Sequence, residues 1–119
     1  MPDLSNRARG QWGERCAAAH LRSLGFRILG RNWRPSEHGL RGDLDLVAVL
    51  DQLIVFCEVK ARRGAGDGGA AAAVGVAKQQ QVRRLAESWL RHHDRSGFDV
   101  RFDVIAVEGT TLTHYPAAF

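Results

Sequence analysis

Two neighbouring segments of the sequence carry the residue types best suited to chemistry. The segments DLDLVAVL (residues 43–50) and LIVFCEVK (residues 53–60) are rich in apolar and β-branched residues, and two residues separate them. This pattern predicts a β-hairpin with a tight turn. Acidic residues and a lysine stand only at the ends of the segments that lie away from the turn. The hairpin would therefore bring these charges together at one end of the strand pair.

Asp45 and Glu58 form the candidate acid pair. A two-residue turn places Asp45 opposite Glu58 and Asp43 opposite Lys60, and alternation puts Asp45, Glu58 and Lys60 on one face. The other face is predicted to carry Leu44, Leu46, Ala48, Val55, Cys57 and Val59. Opposed like charges destabilise a strand pair unless a cation belongs there, and such oxygen ligands suit Mg²⁺ or Mn²⁺. Two alternatives stay open: one acid pairs with Lys60, or this end frays into solvent.

Glu14 is a third candidate acid. It lies in the first predicted helix, at helical spacing from Ala18 and Leu21, and so on the face that carries the apolar residues. An acid near the start of a helix is stabilised by the N-terminal dipole. Glu14 could instead reach the metal site from the facing helix. Spacing alone leaves both interpretations open.

A small α/β domain has to position these residues. Periodicity and turn residues predict the order α-β-β-β-α-β-β, with elements near residues 11–24, 26–29, 43–50, 53–60, 76–92, 98–108 and 112–119. Residues 11–119 are predicted to form a single domain, preceded by a flexible basic arm over residues 1–10. Residues 61–74 are rich in glycine and alanine without an apolar stripe, which predicts mobility in the absence of substrate.

The composition is that of an ordinary globular chain. Of 119 residues, 45% are hydrophobic and 25% are charged, and 17 Lys+Arg against 13 Asp+Glu give a net charge of +4, which weakly favours a polyanionic partner. The two cysteines form no C-x-x-C, which argues against a zinc ribbon or a redox pair. No signal peptide and no apolar run of about 20 residues is present. We therefore expect a cytoplasmic protein without a membrane partner.

The segment GDLDLVA (residues 42–48), followed by FCEVK (residues 56–60), resembles the PD-(D/E)XK nuclease signature. Over residues 11–119 the sequence is similar to the YraN-like family of small bacterial proteins assigned as endonucleases. Further positions that fit in order are Gly13-Glu14, Gly25, Arg31-Asn32, CEVKAR, Lys78, Phe102-Asp103-Val104 and Ala118-Phe119. That family is similar to archaeal Holliday-junction resolvases. The resemblance implies a restriction-endonuclease-like fold, in which helices flank a central mixed β-sheet.

The resemblance also implies a role for each matching residue. Asp45 and Glu58 match the metal-binding carboxylates, and Val59 would lend its backbone carbonyl to the metal. Lys60 matches the lysine that positions or activates the attacking water. Glu14 matches the helix glutamate of the resolvase-like branch, and would join the catalytic and metal-binding set.

The implied activity is Mg²⁺- or Mn²⁺-dependent hydrolysis of DNA phosphodiester bonds, with branched or flapped DNA of repair or recombination as the substrate class. The alternative is a nucleic-acid-binding accessory protein with little or no catalytic activity. Candidate contacts to the DNA backbone are Arg41, Arg62, Arg63 and Lys78. Leu44 stands in place of the motif's proline and Asp43 in place of the commoner Glu, which leaves the role of Asp43 open. The roles of residues 79–81 and a resolvase-like homodimer also stay open.

Overall fold

Five strands form one mixed sheet, with one helix on each face. The structure, a computed structural model, describes residues 6–36, 38–62 and 74–119, without the side chains of Asn6 and Arg62. In chain order the elements are α1 (Asn6–Ser23), β1 (Arg27–Trp33), β2 (Leu44–Leu50), β3 (Leu53–Arg62), α2 (Val76–His92), β4 (Asp99–Glu108) and β5 (Thr111–Tyr115). The predicted α/β class, with helices flanking a mixed sheet in the order α-β-β-β-α-β-β, is confirmed.

The strands lie in their chain order, β1-β2-β3-β4-β5. Strands β1, β2 and β3 are antiparallel neighbours, β3 and β4 are parallel, and β5 returns antiparallel to β4. Parallel neighbours need a crossover connection, and α2 provides it between β3 and β4. The second strand of the predicted hairpin is thus the central strand of the sheet.

The sheet separates two apolar clusters. Under α1 the central strands contribute Leu46, Ala48, Val55, Cys57, Ile105 and Val107. Under α2 they contribute Val47, Val49, Ile54, Phe56 and Phe102. Helix α2 meets this face with Val82, Leu85, Ala86 and Trp89, which recur at the spacing of one helical face. Because both faces of the hairpin are covered, its strands are apolar at almost every position.

The ladder between β2 and β3 stops short of the acidic residues. Its pairs run from Leu50–Leu53 to Leu46–Cys57, as expected for a two-residue turn. Leu44 was predicted on the same face as Leu46, and this is wrong, because Leu46 lies in the cluster under α1 and Leu44 in the cluster under α2. The alternation is lost because the start of β2 pairs with β1 alone, through Trp33 and Leu44, and is not held in register by β3.

Three boundaries differ from prediction by more than two residues. Strand β5, predicted to reach Phe119, ends at Tyr115, because the chain turns at Pro116 and Ala117 (φ 50°) and leaves the ladder with β4. Helix α1 begins at Asn6, so residues 6–10 of the predicted arm form its first turns, while residues 1–5 lie outside the described part. Residues 7–9 (Arg-Ala-Arg) favour helix by propensity although they carry no apolar stripe. Strand β1 continues to Trp33, into a predicted loop, because β2 offers it a pairing partner.

Most of the segment predicted to be mobile, residues 63–73, lies outside the described part of the chain. Across the residues that the structure does describe, no helix is both long enough and apolar enough to cross a membrane.

Candidate active site

The carboxylate of Asp45 lies between β2 and β3. Val59 N donates a hydrogen bond of 2.9 Å to Asp45 Oδ2. If the hairpin register continued, Val59 would pair with Leu44, but the ladder ends at Leu46 and Cys57. The side chain of Asp45 therefore replaces a ladder bond, which keeps the Val59 N–H satisfied where the strands part.

Asp45 and Glu58 lie side by side, Glu58 buried and Asp45 half-buried. The two carboxyl groups lie close enough for each to shift the pKa of the other, and Glu58 is only 7% exposed. Burial and then the charge of Glu58 raise the pKa of Asp45 to about 8, against the opposing bond from Val59 N–H. Burial also raises the pKa of Glu58. Both pKa values are raised because the pair is costly to charge fully, and a bound cation would offset that charge.

Two lysines flank the acid pair. Lys78 Nζ, on α2, lies 3.9 Å from Glu58 Oε2. The charge of Lys78, and to a smaller extent that of Lys60, opposes the rise in the pKa of Glu58. The sequence singled out Lys78 only as a DNA contact, yet the structure brings it to the edge of the acid pair.

Glu14 reaches the same region from α1. Its negative charge contributes to the raised pKa of Asp45. Asn32 Nδ2 donates a hydrogen bond of 3.0 Å to Glu14 Oε1. Asn32 has a φ of 48°, a left-handed conformation that asparagine tolerates better than most residues. Sequence reasoning gave Asn32 no role, although its place beside Arg31 within the family resemblance was a signal.

Asp43 does not pair with Lys60 as predicted, because β2 begins only at Leu44. Its Oδ2 lies instead 3.7 Å from Arg34 Nη2. The charge of Asp43 still raises the pKa values of Asp45 and Glu58. Asp43 thus adds negative potential beside the acid pair.

The other predicted site residues are placed as follows. Val59 contacts Asp45 through its N–H, and its carbonyl as a metal ligand stays a prediction. Arg41 has an exposed side chain, and its carbonyl accepts a hydrogen bond of 2.9 Å from Gln81 Nε2. The backbone of Arg62 pairs with Glu108 in the β3–β4 ladder. The side chain of Arg62 and the whole of Arg63 lie outside the described part.

The donors fit a hard divalent cation. Over the described ranges, no group of three or more His, Cys, Asp or Glu side chains is arranged to hold a metal ion. Asp45 and Glu58 offer two carboxylates, which would leave the remaining coordination positions of a metal ion to water or substrate. Mg²⁺ prefers this arrangement, because it takes one or two carboxylates and keeps several of its waters.

A protein family matches the chain over the residues that carry this site. The family described as "Uncharacterised protein family UPF0102" matches residues 13–107. The chain belongs to this family. A UPF0102 protein of Frankia casuarinae is 48% identical over 100 residues, which cover 84% of this chain and 81% of that protein. Another from Syntrophotalea carbinolica is 42% identical over 114 residues, which cover 92% and 89%. One from Nocardia farcinica is 46% identical over 117 residues, covering 94% and 89%.

The range matched by the UPF0102 family begins at Gly13. This glycine lets α1 approach β3. A Cβ at Gly13 would lie 2.8 Å from Ala61 Cβ, whereas one at Gly10 would meet nothing within 4 Å. We expect Gly13→Ala to lower the free energy of unfolding by about 1–3 kcal/mol, because the helix must shift away from the strand. Gly10→Ala should instead raise it by about 0.5–1 kcal/mol, because it only removes a glycine from a helix. Urea denaturation measures both, and equal effects would rule out the close approach.

Proposed function

We propose that this UPF0102 protein is a Mg²⁺- or Mn²⁺-dependent nuclease that hydrolyses DNA phosphodiester bonds in the cytoplasm. Branched or flapped DNA of repair or recombination is the substrate class. The supporting observation is that the half-buried Asp45 and the buried Glu58 lie together at the point where β2 and β3 part. Two adjacent acids, one buried and one half-buried, destabilise a metal-free fold, so their presence at the open end of the central hairpin favours a cation-binding role.

In this proposal Asp45 and Glu58 hold the cation. The Val59 N–H bond orients the Asp45 carboxylate. A divalent cation bound there lowers the pKa of water and offsets the charge that develops on phosphate during hydrolysis.

The neighbouring side chains would prepare the attack. Lys60 lies close enough to lower the pKa of Glu58 through its charge, and its ammonium can orient the attacking water. Glu14, oriented by Asn32, supplies a carboxylate on the side of α1. That carboxylate can accept a hydrogen bond from a water of the site and so align it.

A cleavage assay on branched, flapped and linear DNA with Mg²⁺ or Mn²⁺ tests the proposal. Wild-type protein should cut at least one substrate, and Glu58→Gln should reduce the rate by about a hundredfold or more, because one metal carboxylate is lost. Glu87→Gln, an identical change at an exposed position of α2, should leave the rate unchanged. If wild-type protein binds branched DNA tightly and never cuts it, the accessory-binding alternative replaces the nuclease.

Lys60→Ala separates cutting from binding. It should reduce the cleavage rate by about 10²–10⁴-fold, because the positioned ammonium is lost, while DNA affinity falls only modestly, because a single charge is removed. Gel-shift titration beside the cleavage assay measures both quantities. Parallel losses of binding and cutting would make Lys60 a DNA contact rather than a catalytic residue.

A further inference from the structure

An open groove adjoins the acid pair on the side of α2. It has a volume of about 440 Å³ and runs between the loop of residues 39–41 and the first turns of α2. The helix lines it with Ala77, Lys78, Gln81 and Arg84. The three charged residues around it, Arg41, Lys78 and Arg84, are all cationic, so the groove presents one sign of charge.

The groove is held in shape by the protein itself. Gln81 Nε2 donates a hydrogen bond of 2.9 Å to the carbonyl of Arg41, which ties the loop to the helix. Gly42 follows with a φ of 94°, and a Cβ there would lie 2.6 Å from Gln81 Nε2. Only glycine permits this approach, so the backbone geometry of the loop supports the groove before any ligand binds.

Two of the groove cations have no acidic partner among the residues that the structure describes. Arg41 and Arg84 are exposed, and neither takes part in an ion pair with any described residue. Arg83, the neighbour of Arg84, instead lies over the ring of Phe102 at 4.7 Å from its centroid. The helix therefore uses one arginine for packing and leaves the next one available for an anion.

Lys78 joins the groove to the acid pair, because it lines the groove and also lies 3.9 Å from Glu58. We propose that this groove binds the phosphate backbone of the DNA strand being cut, immediately beside the scissile bond. The inference rests on the proposed nuclease function and adds Arg84 to its substrate-binding residues. Phosphate groups suit the groove because they need cations to position them and no base-specific contact.

The test compares two double variants of equal charge. Arg41→Gln with Arg84→Gln removes the unpaired groove cations. Arg22→Gln with Arg27→Gln removes two exposed arginines, which lie near the hairpin-turn end of β2, roughly 20 Å from the groove by strand length. Binding of short fluorescent single-stranded and branched DNA is measured with Ca²⁺ in place of Mg²⁺, at salt concentrations from about 50 to 200 mM.

The groove variant should bind about tenfold more weakly at low salt, and its slope of log affinity against log salt should be shallower by about two. The control variant should stay close to wild type. Equal losses in both variants, no loss in the groove variant, or no binding by wild-type protein would each overturn the groove assignment. Cleavage is scored separately. If wild-type protein cuts DNA but the groove variant binds normally, the groove assignment fails and the proposed nuclease function is retained. If the groove binds DNA but no substrate is cut, only the proposed nuclease function fails.

Discussion

Replacing Asp45 by Asn is expected to stabilise the metal-free protein while abolishing its response to Mn²⁺. Burial raises the pKa of Asp45 from 3.8 to about 8, so the folded state holds a proton that the unfolded state releases between these pH values. The destabilising effect is absent below about pH 3.8, grows as the pH rises, and is complete above about pH 8. Asparagine removes the titration and can still accept the Val59 N–H bond. The increase in the free energy of unfolding caused by Asp45→Asn should reach at least about 2 kcal/mol at pH 8 and vanish near pH 4.

Thermal unfolding as a function of pH, with and without Mn²⁺, measures this effect. Mn²⁺ should raise the Tm of the wild-type protein, because it binds the folded state, and should leave that of Asp45→Asn unchanged. Asp51→Asn is the matched control. Asp51 is exposed at the turn of the same hairpin with a φ of 53°, which asparagine tolerates. A stability gain that is independent of pH, or an equal response to Mn²⁺ in both variants, would contradict the assignment of Asp45.

Asp103→Ala is expected to lower the free energy of unfolding by about 3–5 kcal/mol, because it leaves the Arg101 guanidinium and the donors of His114 and Ala117 without their partner. Asp103, on β4, is fully buried. It accepts bonds from Arg101 Nε at 2.8 Å and Nη2 at 2.9 Å, from His114 at 2.7 Å and from Ala117 N at 3.0 Å. This network ties β5 and the C-terminal residues to the sheet. His20 on α1 extends it through a 3.1 Å contact with His114.

The pH dependence gives a second readout for Asp103. Burial acts to raise its pKa, but the bonds from Arg101 and His114 outweigh burial, so its pKa is lowered. Its contribution to stability is therefore present above about pH 3.8 and is lost as the pH falls through the lowered value. The difference between wild type and variant should shrink in acid. Asp99→Ala, an exposed position on the same strand, should have little effect, and an equally large loss there would discount the network.

The hairpin could be predicted up to the point where a side chain, instead of the backbone of the neighbouring strand, accepts a hydrogen bond. Its tight turn and alternating faces are local properties, so the pairs from Leu50–Leu53 to Leu46–Cys57 follow from residue order alone. Beyond them the hairpin register no longer predicts the pairing, because the Asp45 carboxylate accepts a hydrogen bond from the N–H of Val59. The exchange of a ladder bond for a side-chain bond leaves no periodic signal, and the predicted position of Leu44 was wrong for that reason.

The two helices also differ in how well their bounds could be predicted from the sequence. The bounds of α2 matched the prediction because Val82, Leu85 and Trp89 repeat at helical spacing and are all buried. The start of α1 was missed because its first turns are basic and polar, without an apolar stripe to mark them. Such residues favour a helix through their individual propensities and produce no apolar periodicity. The prediction relied on that periodicity, so it missed these first turns.

By itself the sequence determined the α/β class, the order of the elements, the register of the central hairpin as far as Leu46 and Cys57, and the choice of Asp45 and Glu58 as the candidate acid pair. These follow from local periodicity, turn length and residue type. Only the tertiary structure decided that Lys78 from α2 lies 3.9 Å from Glu58, that the charge of Glu14 on α1 acts on Asp45, and that Arg41 and Arg84 border one groove. Such contacts join residues far apart in the chain, and their distances depend on how two helices pack across opposite faces of a twisted sheet.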